Sequence, residues 1–498
     1  MVFNSMIFLC IFLPAVLAGY YLLPGIPLKN TFLLLCSLLF YAWAEPKYLP
    51  ILVGSILVNY TLGLLIHREA FRGLKKDSGQ GQRINFRKLI LATGILANIG
   101  LLFAFKYLTF VMEQIRNLMD GDYDVLQIAL PVGISFYTFQ GISYLMDLYR
   151  KEGQLDEKGD RISFVQKNPL NFAVYISMFA YVSAGPIVRY QDVSTELSVR
   201  KLTAEGFATG AERFIVGLAK KAILANFMGT MADSIFNSDY TSLGAGAAWL
   251  GAIAYTLQIY LDFSGYSDMA IGIARMLGFR IRENFNAPYL SKSVREFWRR
   301  WHISLSGWFR DYLYIPLGGS RRGNVYMNLL LVFIATGIWH GAAWGFLIWG
   351  LWHGCFIVME RLADRIREQN HVIWKLPSPL AWFLTMLVVV IGWVMFRLPE
   401  SGQFLSYLKV MAGLGQKGYI AYGIRYYLSN QMICYLTGAL LVCLPWFEIR
   451  KRLMDRITDV KMQTGLLVVK RLLLAGLYVL SYVYVINSSY DPFIYFRF

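Results

Sequence analysis

Charge is scarce in this chain. Of its 498 residues 16% are charged and 56% hydrophobic, and the mean hydropathy is +0.45. A soluble domain of this length carries far more charge, so a water-soluble globular enzyme is excluded. Cysteine is scarce too. Cys10, Cys36, Cys355, Cys434 and Cys443 each stand alone in an apolar segment, without metal-site spacing, and read as buried thiols. No Walker loop, dinucleotide fingerprint or zinc-type His/Cys spacing occurs, which removes support for ATP-driven transport within the chain. The alternating segments of about ten residues that a membrane β-barrel needs are missing. So are Gly/Ser/Pro-rich linkers, internal repeats and any stretch polar enough for a soluble domain.

What is present is one long apolar run after another. "MIFLCIFLPAVLAGYYLL", "LIWGLWHGCFIVM" and "WFLTMLVVVIGWVMF" reach or approach the length needed to cross a ~30 Å hydrocarbon core. The chain is therefore read as all-α and polytopic, with about eleven transmembrane helices plus interfacial and re-entrant ones. It reads as one integral-membrane domain: N-terminal helices over 1–125, a core over 126–400 and C-terminal helices over 401–498. The first run lacks a basic leader and contains Pro14, so it is expected to stay as a span. The net charge of +17 is assigned to cytoplasmic loops and not to nucleic-acid binding. The basic segments 67–88, 276–323 and 449–471 are expected on the cytoplasmic side. The acidic turn "DGDYD" and the aromatic tail "DPFIYFRF" then fall outside, the tail either packing on this chain or docking a partner.

One segment stands apart. "REFWRRWHISLSGWFRDYLYIPLGG" holds three Trp, four Arg and one His. Val294, Phe297, Trp298, Trp301, Leu305, Trp308, Phe309 and Tyr312 recur at steps of three and four, which predicts a single amphipathic helix lying in the interface. Arg295, Arg299, Arg300 and Arg310 take its polar side, and His302 turns toward the apolar flank. Such a helix accounts for the aromatics and arginines but not for the histidine.

Of five histidines, His67 and His371 fall in basic loops and are expected to be solvated. His302, His340 and His353 lie at membrane depth, where a titratable ring is a functional candidate by default. His340 and His353 both sit in Trp-His-Gly. Gly337, Gly341 and Gly345 around His340 let the backbone bend and a substrate approach, whereas His353 looks like a hydrogen-bonded core residue. Gln258, Asp262, Ser264 and Asp268 in "QIYLDFSGYSDMAIG" allow two readings: a kinked helix with locally paired carboxylates, or the polar wall of a tunnel. "SAGPIVRY" reads as a re-entrant turn, with Arg189 beside it.

Three long stretches carry a resemblance: "YTLQIYLDFSGYSDMAIGIARMLGF", "ENFNAPYLSKSVREFWRRWHISLSGWFRDYLYIPLGGSRRG" and "GIWHGAAWGFLIWGLWHG". With "PVGISFYTFQGISYLMD", "AGPIVRY" and "PFIYFRF", they resemble the membrane-bound O-acyltransferase family, in its bacterial branch that acetylates exported polysaccharides. The resemblance implies a helical core with an acyl tunnel and a functional pair, His340 and His302, and it demotes His353. It implies acetyl-CoA, or another acyl thioester, as donor substrate and no permanently bound cofactor or metal. Arg299, Arg300, Arg310 and Trp298, with Arg321 and Arg322, would meet the donor on the cytosolic side, although anionic lipid headgroups compete for the same arginines. An exported polysaccharide and an extracytoplasmic acyl-accepting protein of the SGNH esterase type are the implied partners, in the bacterial cytoplasmic membrane. The alternatives are transfer of D-alanyl or another acyl group to a cell-wall polymer, or a transporter using His302, Asp262 and Asp268 as a proton relay.

Overall fold

A computed structural model describes residues 2–72, 80–120, 124–154, 162–371, 376–414, 420–446, 448, 449, 452, 455 and 460–487. The described residues are helical apart from turns, irregular connections and one isolated bridge between Leu243 and Tyr422. Among the described residues seven helices are long and apolar enough to cross a membrane: Ile26–Ala44, Pro46–Phe71, Phe86–Lys106, Ala204–Phe236, Trp344–Gln369, Ser378–Arg397 and Lys461–Asn487. Three shorter apolar helices, Phe8–Leu22, Val325–His340 and Asn430–Val442, fall below that length. The all-α, multi-pass character expected from composition is thus present. The aromatic tail lies outside the described residues.

The chain packs as two units, Met1–Ala211 with Ala270–Arg282, and Glu212–Met269 with Glu283–Phe498. The first contains α1 (Leu13–Leu22), α2 (Ile26–Ala44), α3 (Leu49–Arg72), α4 (Gln80–Lys106), α5 (Leu108–Met119), α6 (Ile134–Lys151), α7 (Pro169–Ser177) and α8 (Tyr190–Ser198). Phe8, Phe12, Phe40 and Phe179 meet ring to ring in its core. Buried polar side chains tie its helices: Asn98 on α4 donates to Asn59 on α3 at 2.8 Å. Buried Arg200 donates to the Tyr20 hydroxyl at 2.6 Å and to Asn30 Oδ1 at 2.7 Å. The segment after α7 is irregular and buried throughout. A Cβ at Gly185 would lie 2.6 Å from Tyr181 Cα, so only glycine closes this turn. His67 departs from expectation: its Nδ1 is 2.6 Å from the buried Glu152 carboxylate, because α3 continues past the loop in which the sequence placed it.

The second unit takes in the C-terminal part of α9 (Ala204–Ala219), a π turn over Lys220–Ala225, and α10 (Asn226–Phe236). It also takes in most of α11 (Ala245–Met276), then α12 (Val294–Arg300), α13 (Ile303–Phe309), α14 (Val325–His340), α15 (Trp344–Gln369) and α16 (Ser378–Arg397). α17 (Ser401–Met411), α18 (Ile424–Tyr427), α19 (Asn430–Val442) and α20 (Val460–Asn487) complete it. The helix α11 runs unbroken for 32 residues. Gly265 serves packing: its Cβ would meet Gly217 O at 2.7 Å, and that of Gly217 would meet Gly265 O at 2.5 Å. α20 starts well before residue 472, so Lys470 and Arg471 belong to the last helix and not to a preceding loop.

Candidate active site

The predicted single amphipathic helix does not form. The segment breaks into α12 and α13, followed by a π turn over Arg310–Tyr314, with His302 at the break at φ 44°. Ser293 starts α12 by accepting from the Glu296 N–H at 3.0 Å, and the Glu360 carboxylate accepts from the Val294 and Arg295 N–H groups. The break is held by the preceding loop: Ile303 N–H donates to Asn284 O at 2.9 Å and Asn286 N–H to Arg300 O at 3.0 Å. Helical periodicity could not show this, because the partners come from outside the segment. The aromatic face is not laid on lipid either. Phe297, Trp298, Trp301, Leu305, Trp308 and Phe309 are buried inside the unit.

His302 is fully buried. Its Nδ1 lies 3.1 Å from Asn284 Oδ1, and its ring packs edge-on to Phe263 of α11 with centroids 4.7 Å apart. Burial among these groups pushes its imidazole below the ordinary value of 6.5, which favours the neutral ring.

His340 is the last residue of α14. The chain reverses through Gly341–Ala343 into α15, so the two helices form a hairpin with His340 at its turn. The surrounding glycines allow close approach, Gly337 and Gly350 within this hairpin and Gly345 against Pro399 outside it. A Cβ at Gly337 would sit 2.4 Å from Phe346 O, one at Gly350 2.4 Å from Phe333 O, and one at Gly345 2.2 Å from Pro399 O. All three pack closely against backbone.

The three histidines share one buried aromatic cluster. Trp339 lies 6.2 Å from His302 and 4.9 Å from His340, centroid to centroid. Trp349 lies 4.9 Å from His340 and 5.2 Å from His353. Trp298 closes the far end, 5.2 Å from His353 and 5.6 Å from Trp349. His353 is fully buried but not hydrogen-bonded as expected: neither ring nitrogen has such a partner among the described residues. Aromatic rings surround it, and a Cβ on Gly392 would come within 2.6 Å of its Nε2.

The carboxylates of α11 are paired. Lys221 Nζ meets Asp262 Oδ1 at 2.5 Å with both side chains buried, and Lys220 Nζ meets Asp268 Oδ2 at 2.7 Å. Arg213 bonds Asp268 and Glu283 together. Gln258 and Ser264 are buried, and Gln258 Oε1 and Ser264 Oγ have no hydrogen-bond partner among the described residues. Lys220, Lys221, Arg213 and Asn284 escaped the sequence reading. Two adjacent lysines inside an apolar stretch were the available signal.

The arginines divide. Arg300 is engaged by Glu296 at 2.9 Å and by the Asn286 carbonyl, and Arg295 by Glu360 and Asp364. Arg299, Arg310, Arg321 and Arg322 are exposed, Arg310 beside Asp311. Among the described residues no group of three or more His, Cys, Asp or Glu is placed to hold a metal.

Residues 115–398, which include every member of this cluster, match the membrane-bound O-acyltransferase family. The chain is 42% identical over 403 residues to "Probable alginate O-acetylase AlgI" of Pseudomonas aeruginosa, covering 80% of this chain and 72% of that protein. A protein of the same name from Pseudomonas putida is 37% identical over the full length of both. "Peptidoglycan O-acetyltransferase" of Helicobacter pylori is 37% identical over 437 residues, 83% of this chain and 80% of that protein. A match over more than half the chain, backed by relatives aligned along most of their length, makes this protein a member of the membrane-bound O-acyltransferase family.

Proposed function

We propose that this O-acyltransferase moves an acetyl group from a cytosolic thioester, acetyl-CoA, to hydroxyls of an exported cell-surface polysaccharide. Relatives named for alginate and for peptidoglycan acetylation support the polysaccharide as acceptor class. The observation that carries the assignment of residues is the burial of His302 and His340 in one cluster bridged by Trp339. His340 takes the proton of an acceptor hydroxyl as its oxygen attacks the thioester carbonyl. The C–O bond forms, the C–S bond breaks, and the thiolate leaves as the thiol with the proton taken from the hydroxyl, which returns the base to its starting state. Base assistance of this kind is worth roughly 10²–10⁴ in rate. His302 is the second reacting ring, orienting the thioester or handling the proton of the departing thiolate.

Arg299, Arg300 and Arg310, with Trp298, form the cytosolic donor site, and Gln258, Asp262, Ser264 and Asp268 line the route of the acyl group. The rest of the reading follows from the sequence. One integral domain of about eleven spans lies in the bacterial cytoplasmic membrane. Its immediate acceptor is an extracytoplasmic SGNH-type protein or the polymer itself. The test is direct: incubate the purified chain with acetyl-labelled acetyl-CoA and oligosaccharide acceptors, and follow the label. His340→Gln abolishes incorporation while leaving the melting temperature close to wild type. Normal incorporation by that variant overturns the catalytic assignment.

A further inference from the structure

We infer that Asn284 is a positioning residue: its amide holds His302 in the tautomer with hydrogen on Nδ1, which makes Nε2 the proton acceptor. The inference rests on the reading of His302 as a reacting group. Asn284 is buried between Ser267 on α11 and the break that carries His302. The backbone N–H of Ser304 lies 3.2 Å from Asn284 Oδ1. A backbone amide only donates, so the atom facing it is the amide oxygen. The amide nitrogen then faces Ser267 Oγ at 3.1 Å. One amide orientation is thus set by a partner that has no tautomer of its own. His302 Nδ1 is 3.1 Å from that same oxygen, which accepts and cannot donate. Nδ1 therefore carries the hydrogen; the other tautomer would oppose two lone pairs at this distance. The Ser304 hydroxyl, 2.9 Å from Oδ1 and 3.4 Å from Nδ1, donates to the oxygen as well.

The backbone makes the arrangement stiff. Ile303 N–H bonds Asn284 O at 2.9 Å, and Asn286 N–H bonds Arg300 O at 3.0 Å, on either side of His302. A histidine at φ 44° persists only where its surroundings determine it, and these bonds supply that. The chemical consequence is specific. With Nδ1–H committed to Asn284, neutral His302 offers only an acceptor at Nε2, and it serves the leaving thiolate only after receiving there the hydroxyl proton that His340 has taken.

The experiment uses the full chain in detergent or nanodiscs. Asn284→Asp keeps an acceptor for Nδ1–H and for Ser304 N–H but adds a negative charge, which favours the imidazolium. The acid limb of the kcat–pH profile moves up by about one pH unit or more. Asn284→Leu removes the acceptor and lowers kcat by about 10- to 100-fold, the scale for losing a partner that orients a functional histidine, with little change in KM for acetyl-CoA. In ¹⁵N spectra of histidine-labelled protein, the His302 signal is the one lost in His302→Gln. It reports hydrogen on Nδ1 in wild type and loses that signature in Asn284→Leu. If Asn284→Leu fails to fold, the Asn284→Asp profile and the wild-type spectrum decide. Hydrogen on Nε2 in wild type, or an Asn284→Asp profile superimposed on wild type, overturns the inference. Normal turnover by His302→Gln instead overturns the underlying reading of His302, and the spectrum still judges the tautomer.

Discussion

A buried ring on a left-handed backbone makes His302 sensitive to pH in a predictable direction. Burial lowers its affinity for a proton below the ordinary 6.5, so under acid conditions the unfolded chain binds more protons than the folded one. Its contribution to stability is therefore complete above 6.5 and is lost as pH falls below that value. The limiting slope is about 1.4 kcal/mol per pH unit for one group. Melting temperatures in detergent between about pH 7.5 and 5 should fall more steeply for wild type than for His302→Gln; parallel slopes would show that the ring stays charged in the fold. His302 is buried as its spacing suggested, but not on the continuous helix from which that spacing was read. Its place at a helix break was not legible, because Asn284 lies eighteen residues earlier in the chain.

At the scale of elements, α11 and the α9–α10 segment are joined by glycine contacts and buried charge. The π turn over Lys220–Ala225 lets consecutive lysines both reach α11, one to Asp268 and one to Asp262. Lys221→Met leaves the Asp262 carboxylate buried without its ammonium and should cost about 3–5 kcal/mol. Changing Asp262→Leu in the same chain should recover most of the loss, since the uncompensated charge is gone. Thermal unfolding of the single and double variants tests this, and equal losses in both would assign the cost to packing instead. Carboxylates at membrane depth were visible in the sequence. Their partners were not, since a periodic pattern cannot show that a wider turn aims two neighbouring residues at one helix.

For the whole molecule, the net charge of +17 acts through the cations that remain exposed. Arg299 is exposed, whereas Arg300 is spent on Glu296 and the Asn286 carbonyl. Arg299→Gln should therefore raise the KM for acetyl-CoA more than Arg300→Gln does, leave kcat nearly unchanged, and lose its effect at high salt. Steady-state kinetics at two ionic strengths decide the matter. An unchanged KM for Arg299→Gln would return that side chain to lipid headgroups.

The sequence by itself determined the solvent this chain folds in, its all-helical class, its family and the three histidines worth attention. Those follow from composition, run length and local motifs, which need no knowledge of neighbours. Only the tertiary structure decided that the aromatic segment is two short helices with their aromatic face buried in protein, and that Gly337 and Gly350 let α14 and α15 close a hairpin. It also decided that His67 meets Glu152, and that Trp339 and Trp349 join His302, His340 and His353 in one cluster. Each of these depends on contacts between residues far apart in the chain, and in a bilayer every polar backbone group or charge must find such a contact or remain unsatisfied.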